Sequence, residues 1–194
     1  MDYQVEPVPR KAIAEFIERW HYSGSINGCI SDYCFALYDG MEMVGAMFYG
    51  RMAMANQWRR FADDAEKVTE LRRLCCIDDT PKNTESFFIG ATLRWLKKNT
   101  DLEVVVSYAD AQHGHSGTIY KASNFALEGF RKGAKVIRYE GKTYHDKAIR
   151  TKYKGELKPF AKRLKDALES GQATFEETAG KFCYVYPLRK RRTK

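Results

Sequence analysis

The sequence lacks any apolar run long enough to cross a membrane. A transmembrane helix needs about 18 or more consecutive apolar residues, and none occurs in the 194-residue chain. The first residues, MDYQVEPVPRK, also lack the apolar core of a signal peptide. We therefore expect a cytoplasmic protein that is neither exported nor membrane-spanning.

Paired cysteines are also missing. The five cysteines are odd in number, form no Cys-x-x-Cys pair and lie mostly in apolar, strand-like runs. That pattern is typical of reduced core residues rather than of a disulfide framework or a zinc site. The residues concerned are Cys29, Cys34, Cys75, Cys76 and Cys183.

Acidic residues are fewer than basic residues. The chain has 33 Lys and Arg against 25 Asp and Glu, a net charge of +8. Its field should attract polyanions, with nucleic acid as the obvious class and RNA left open beside DNA, although an ordinary basic protein fits the charge alone. At 44% hydrophobic, the length suits one core. We predict a single domain over 1–188 and a flexible basic tail, RKRRTK, over 189–194 that contacts phosphates in a complex.

Hydrophobic periodicity predicts an α/β (α+β) protein whose central mixed or antiparallel sheet is flanked by helices. Apolar residues recur at helical spacing in three segments, and β-branched or alternating runs bounded by turn residues predict the strands. The predicted helices are Arg10–Trp20, Thr84–Asn99, Gly117–Phe125 and one opened by Pro159. The predicted strands are Tyr33–Tyr38, Met41–Tyr49, Val68–Ile77, Leu102–Tyr108, Leu127–Phe130, Lys135–Tyr139, Lys142–His145 and Phe182–Leu188.

Charged residues interrupt the otherwise apolar strand Val68–Ile77. Strict alternation puts Leu71, Arg73 and Cys75 on one face and Glu70, Arg72, Leu74 and Cys76 on the other. Charges in a central strand are costly to bury unless they are paired. We predict that Glu70 holds Arg73 in place.

The helix that follows offers an anion site at its start. Asn83 or Thr84 caps it, and its free N–H groups lie beside Lys82 and the Ser86 hydroxyl. Every helix start has such N–H groups, so this signal is general.

Histidines and one aspartate cluster near the end of the strand Leu102–Tyr108. Asp110, His113 and His115 can bind a metal, or can form a hydrogen-bonded loop. His21 follows the first helix, at its C-terminal end. The helix dipole there favours a charged imidazole, which explains the histidine without a function; a functional role is the alternative. Aromatic and cationic side chains also stand side by side in Trp58–Phe61 (WRRF). They suit stacking on nucleic-acid bases, or alternatively the packing of their own loop.

Two resemblances follow from these motifs. The element order and the segment YKASNFALEGF resemble the GNAT acyltransferase fold, although DDTPKNTES stands where that fold has an Arg- and Gly-rich pyrophosphate loop. More specifically, the chain resembles the Mom family of bacteriophage DNA-modification proteins. The matching pieces are HYSG (21–24), ELRRLC (70–75), DDTPKNTESF (78–87), SYAD (107–110) and GTIYKASNF (117–125).

The Mom resemblance implies a phage-encoded enzyme of the host cytoplasm. It would convert adenine in double-stranded DNA to N6-carbamoylmethyladenine and so protect phage DNA from restriction. The resemblance implies iron as cofactor rather than S-adenosylmethionine, with the donor of the transferred group unknown and acetyl-CoA in doubt.

The resemblance also assigns residues to the site. The implied catalytic residues are His21, Tyr22, Arg73, Ser86 and Asp110. The implied cofactor-binding residues are Arg73, Asn83, Ser86, Gly117, Thr118 and Tyr120. His21, Tyr22 and Asp110 would supply a mixed nitrogen and oxygen ligand set for iron, with His113 and His115 ranked lower.

The chemistry of adenine alkylation sets further requirements. The base must leave the stack and enter a pocket in which an aromatic ring stacks on it; Tyr22, Tyr49 and Tyr120 are candidates. The N6 amine is a weak nucleophile because its lone pair is delocalised, so a base such as Asp110 would help. Two alternatives stay open: an acyl-CoA-dependent N-acyltransferase of the GNAT type acting on a small amine or protein, and a non-catalytic DNA-binding protein.

Overall fold

The computed structural model describes residues 2–54, 56–111, 114 and 116–189. The chain forms two compact units. The first takes in Met1–Ala109, Gly117–Gly129 and Cys183–Lys194, and the second Asp110–Ser116 and Phe130–Phe182. Whether both belong to one cooperative domain, as the length predicts, stays a prediction.

Twelve strands and four α-helices are described. The strands are β1 (Tyr3–Pro7), β2 (Tyr33–Asp39), β3 (Glu42–Gly50), β4 (Val68–Cys76), β5 (Val104–Asp110), β6 (Ala126–Arg131), β7 (Lys135–Tyr139), β8 (Lys142–His145), β9 (Lys152–Tyr153), β10 (Glu156–Leu157), β11 (Thr174–Glu177) and β12 (Lys181–Pro187). The helices are α1 (Arg10–Trp20), α2 (Thr84–Asn99), α3 (Thr118–Ala122) and α4 (Pro159–Glu169). Short 3-10 helices span Gln57–Arg60, Ala65–Lys67 and Asp146–Arg150.

The first unit is built on a seven-stranded sheet in the order β1-β2-β3-β4-β5-β12-β6. Strands β1 to β4 pair antiparallel in sequence, whereas β4 and β5 are parallel. This mixed sheet with flanking helices confirms the predicted fold class. The β4–β5 pairing ends at Leu71 and Ser107, although β4 continues to Cys76 and β5 to Asp110. The two strands therefore separate, and among the described residues no β4–β5 pair is found beyond this point.

Helices cover both faces of this sheet. On one face Ile13 and Ile17 of α1 pack with Ala46 and Phe48. On the other face the hydroxyl groups of Tyr49 and Thr92 of α2 lie 2.7 Å apart. Since Phe48 and Tyr49 are neighbours in β3, their side chains point to opposite faces, which explains the nearly continuous apolar run of that strand.

The second unit contains a three-stranded sheet, β11-β7-β8, and the β9–β10 hairpin. Ile137 of β7 and the helix residues Leu164 and Ala167 form its small core. Because α4 buries residues three apart while its other side stays exposed, the helix has the amphipathic pattern that the sequence predicts.

The sequence located most of these elements. The helices 10–20 and 84–99, the two predicted hairpins and a helix beginning at Pro159 are confirmed. The helix at 117–125 is shorter than predicted, and β1, β9, β10 and β11 were not predicted. All five cysteines are free, as expected. Among the described residues, no helix has the length and apolarity required to span a membrane.

Candidate active site

A group of polar side chains surrounds Tyr120 of α3 in the first unit. Tyr22, Glu70 and Ser107 lie close enough to shift the pKa of the Tyr120 phenol. The Tyr120 ring packs on Tyr184, with ring centroids 5.4 Å apart. The end of the β4–β5 pairing, with Leu71 opposite Ser107, lies at this group. We call Tyr22, Glu70, Ser107 and Tyr120 the Tyr120 cluster.

The Tyr120 phenol stays protonated at neutral pH. Burial raises its pKa to about 12; the Ser107 hydroxyl opposes part of this shift, while Tyr22 and the Glu70 carboxylate add to it. A phenol with so high a pKa donates a hydrogen bond and does not act as a base near pH 7. Tyr120 is therefore suited to donating a proton or a hydrogen bond to a bound group.

Two buried polar atoms near the point where β4 and β5 separate are not satisfied by the protein. Within the described part of the chain, Ser107 Oγ and Arg73 Nε have no hydrogen-bond partner. Ser107 affects the Tyr120 pKa by proximity, yet it lies outside hydrogen-bonding geometry. Buried groups of this kind usually bind water or a ligand. Ser107 was not predicted, although a serine within the apolar run LEVVVSY was a signal for it.

Glu70 is paired differently from the prediction. Its Oε2 lies 3.5 Å from Arg72 Nη1, and both side chains are 11% exposed. Arg73 instead donates from Nη1 to the Arg72 carbonyl at 2.8 Å. Strand β4 also contains a β-bulge: Phe48 pairs with Arg73 and Tyr49 with Leu71, so Arg72 is an extra residue and the strict alternation predicted for β4 is broken.

His21 lies at the C-terminal end of α1 and is 8% exposed. Its Nδ1 accepts from the Ser23 backbone N–H at 3.1 Å and lies 2.8 Å from Ser23 Oγ. Its ring packs on Tyr22 with centroids 4.2 Å apart. Accepting at Nδ1 favours the tautomer with a proton on Nε2, so the loop fixes this imidazole. Tyr22 is 55% exposed, and its predicted stacking on a base stays a prediction.

The start of α2 places Asn83 and Ser86 together. Asn83 is the N-cap but makes no side-chain capping bond, and the Ser86 hydroxyl donates to its carbonyl at 2.9 Å. Ser86 also lines a pocket of about 300 Å³. The other lining residues are Gly90, Leu93, Arg94, Lys97, Ala122, Ser123, Asn124, Tyr186 and Leu188. Two cations at a pocket of this size suit a small anionic ligand.

Gly117 has a packing role that explains its place in the GTIY motif. Its φ is +79°, and an added Cβ would lie 2.2 Å from Cε2 of Tyr184. Only glycine fits here without displacing the ring that supports Tyr120. Thr118 is exposed at the first position of α3. The predicted cofactor roles of both residues stay predictions.

Asp110 belongs to the second unit, where its Oδ2 lies 2.9 Å from Lys181 Nζ. The backbone next to it is fixed by Ala111 N–H donating to the Gly180 carbonyl at 3.1 Å. His113 and His115 lie outside the described residues. Among residues 2–54, 56–111, 114 and 116–189, no group of three or more His, Cys, Asp or Glu side chains can hold a metal ion. The predicted ligand set of His21, Tyr22 and Asp110 includes a tyrosine and is not of this type, so iron stays a prediction for metal analysis of the purified protein.

Two smaller predictions need correction, and the structure favours one of the two alternatives left open for a third segment. Tyr49 cannot stack on a base, because it is fully buried. Within the segment WRRF, Phe61 is buried and Arg60 pairs with Glu128 at 2.7 Å, so the packed loop is the better account of that segment. Arg189 is not part of a free tail, since its Nε donates to the Leu102 carbonyl at 3.2 Å. Residues 190–194 of the tail lie outside the described residues.

Solved acetyltransferase structures share this fold. The match to the ribosomal-protein-S5-alanine acetyltransferase of Vibrio fischeri covers 100% of this chain and 97% of that protein. Its TM-score is 0.55 at 10% identity. The match to NAA60 of Arabidopsis thaliana, in complex with acetyl-CoA, has a TM-score of 0.54 at 10% identity. It covers 95% of this chain and 98% of that protein. The match to a GNAT-family acetyltransferase of Streptococcus pneumoniae has a TM-score of 0.53 at 8% identity. It covers 96% of this chain and 99% of that protein. The predicted GNAT-like fold is confirmed.

A sequence relative is more specific. The protein named methylcarbamoylase mom of Escherichia phage Mu is 31% identical over 113 residues. This match covers 57% of the present chain and 46% of the relative, so it spans less than half of the relative's length. The Mom protein family matches residues 2–194, nearly the whole chain. The chain therefore belongs to the Mom protein family.

Proposed function

We propose that this protein is a transferase that modifies adenine in double-stranded DNA, converting it to N6-carbamoylmethyladenine. The family match over residues 2–194 carries the proposal. Modification of phage DNA in this way would protect it from host restriction nucleases. The net charge of +8 supports a polyanionic substrate.

The Tyr120 cluster supplies groups that such a reaction needs. The adenine N6 nitrogen must form a bond to the methylene carbon of the donor and lose a proton. The bond between that carbon and the donor's leaving group breaks. Tyr22, the exposed aromatic member of the cluster, stacks on the flipped base. Tyr120, neutral at pH 7, donates a hydrogen bond to the base or to the leaving group.

The charged residues that the family motifs single out take complementary roles. Arg73, whose buried Nε has no partner among the described residues, binds a carboxylate or phosphate of the donor. Asp110 takes the N6 proton, as predicted from its motif. Ser86 and the pocket beside α2 hold an anionic part of the donor.

Mass spectrometry of nucleosides tests this proposal. Plasmid DNA from cells that make the protein is digested and compared with DNA from cells that make Asp110→Ala or Tyr120→Phe. We expect a deoxyadenosine adduct with the mass of a carbamoylmethyl group only with the unchanged protein. Unmodified deoxyadenosine in every sample, with folded protein present, would reject the proposal.

A second candidate is an acyl-CoA-dependent N-acyltransferase. The 300 Å³ pocket with Arg94 and Lys97 favours it, because two cations can bind a nucleotide phosphate. Coenzyme A retained after purification, and lost in Arg94→Ala, would support this candidate. A non-catalytic DNA-binding protein would instead bind duplex DNA and yield no product, with Asp110→Ala binding as the unchanged chain does.

A further inference from the structure

The positive charge of this protein is concentrated in the second unit. Residues 130–182 contain 14 Lys and Arg against 7 Asp and Glu, whereas the rest of the chain contains 19 against 18. Within 147–165 only one residue, Glu156, is acidic. The basic residues of that stretch are all exposed: Lys147, Arg150, Lys152, Lys154, Lys158, Lys162, Arg163 and Lys165.

A short β-ribbon presents the first part of this stretch. Strand β9 pairs with β10 through a two-residue turn, Lys154-Gly155, whose φ angles are +49° and +88°. Both angles are positive, as the tight hairpin turn requires. The Tyr153 ring is 65% exposed, and Lys154 Nζ lies 5.6 Å from its centroid. The ribbon thus carries an aromatic ring and ammonium groups into solvent.

Helix α4 continues the charged surface without a break. Lys158 precedes Pro159, the first residue of the helix, and its N–H donates to the Thr151 carbonyl at 2.9 Å, which closes the base of the ribbon. Lys158, Lys162 and Lys165 follow one another at spacings of four and three, so they lie along one side of the helix. Leu164 and Ala167, on another side of the helix, are buried in the core of the second unit.

Most of these cations are not neutralised by the protein. Arg150 pairs with Asp146 at 2.9 Å and Lys165 with Glu169 at 3.8 Å. In the part of the chain that the structure describes, Lys152 and Lys158 have no carboxylate within ion-pair distance, and neither have Lys147, Lys154, Lys162 and Arg163. Like charges at such density repel one another, and a polyanion removes that repulsion.

We propose that residues 147–165, which we call the basic ribbon-helix segment, hold a DNA duplex by its phosphates. This rests on the proposed function, since DNA as substrate is itself proposed. Both a two-stranded ribbon and a helix fit a duplex groove, and lysines bind phosphates without reading sequence. The segment supplies affinity for duplex DNA whatever its sequence, while the Tyr120 cluster supplies chemistry.

Salt-dependent binding to a fluorescent 30-base-pair duplex measures the contribution of the segment. The test variant replaces Lys152, Lys154 and Lys158 with Gln. The control variant replaces three exposed cations of the first unit, Lys11, Arg19 and Lys98, with Gln and has the same net charge. We expect the test variant to lower the slope of log K against log salt by about 3 and to weaken binding on the order of 100-fold near 0.15 M salt, because three phosphate contacts are lost. The control should change affinity less than about threefold.

The outcomes separate this inference from the proposed function. An unchanged slope in the test variant, or an equal loss in the control, overturns the inference even where the DNA adduct forms. Tighter binding to RNA or to phosphatidylglycerol vesicles than to the duplex also overturns it. A missing adduct together with the expected slopes rejects the proposed reaction and leaves the duplex-binding segment in place. Should the ribbon variant melt early, Lys162→Gln with Arg163→Gln on the helix repeats the test, with an expected slope change of about 2.

Discussion

The two units use polar residues in opposite ways. The first unit buries them: Glu70 and Arg72 pair at 11% exposure, and Ser107 is fully buried beside Tyr120. The second unit exposes them, with eight basic residues in 147–165 facing solvent. Burial shifts pKa values and makes hydrogen bonds strong, which chemistry requires, whereas exposed charge binds a polyanion from solution. The difference teaches that, under the two proposals above, the reaction and the affinity for DNA depend on different residues, which mutation can separate.

The sharpest separation comes from removing one hydroxyl in the first unit. We expect Tyr120→Phe to reduce adduct formation by about 100-fold or more, within the range of general acid catalysis, because the phenol donates the proton or hydrogen bond. Duplex affinity should not change. The control is Tyr139→Phe in the second unit, which should modify DNA normally. An equal loss of duplex binding and of product in Tyr120→Phe would break the comparison.

Replacing one carboxylate in each unit compares how much a buried and an exposed ion pair contribute to the free energy of unfolding. Glu70→Gln leaves the Arg72 guanidinium without its anionic partner, so we expect the free energy of unfolding to fall by about 3 kcal/mol. Glu176→Gln removes the partner of Arg138, a 2.8 Å pair with both side chains more than a third exposed, and should cost less than about 1 kcal/mol. Urea unfolding measures both. Equal losses would show that burial does not distinguish the two pairs.

Two glycines with nearly the same φ sharpen the comparison of packing. Gly117→Ala brings a Cβ against the Tyr184 ring, whereas at Gly141, φ +71°, no atom lies within 4 Å of the added carbon. Both variants strain the backbone, but only the first also displaces a ring. We expect Gly117→Ala to be less stable than Gly141→Ala by about 2 kcal/mol. Thermal unfolding of the two variants gives the difference, and similar melting temperatures would contradict the tight contact.

Alkaline pH gives the smallest expected effect. The folded-state pKa of Tyr120 is raised from 10.0 to about 12, so the folded protein holds this proton more tightly than the unfolded chain. Stability from this group is complete below pH 10 and is lost as pH rises toward 12, with a slope of at most about 1.4 kcal/mol per pH unit. Urea unfolding between pH 9.5 and 11.5 should show a steeper decline in the unchanged protein than in Tyr120→Phe. Parallel declines would place the phenol in a more solvated site.

Local patterns determined much of the fold. Helices 10–20 and 84–99 follow from apolar residues repeating at helical spacing, and the hairpin around Asp39-Gly40 follows from its turn dipeptide. These signals lie within one element, so the chain shows them without its tertiary contacts. The resemblance to the Mom family also rested on short ordered motifs, and the family match confirms it.

Only the tertiary structure decided how the site is assembled. The bulge at Arg72 belongs to the pairing of β4 with β3, and the folded chain joins Glu70 to Arg72 instead of Arg73. The cluster of Tyr22, Ser107 and Tyr120 brings together residues far apart in sequence, which no local period encodes. Charge totals were plain in the sequence, but their exposure along one ribbon and helix depends on which side of α4 the core buries. Composition and periodicity are local properties, whereas strand register, burial and proximity depend on contacts across the whole chain.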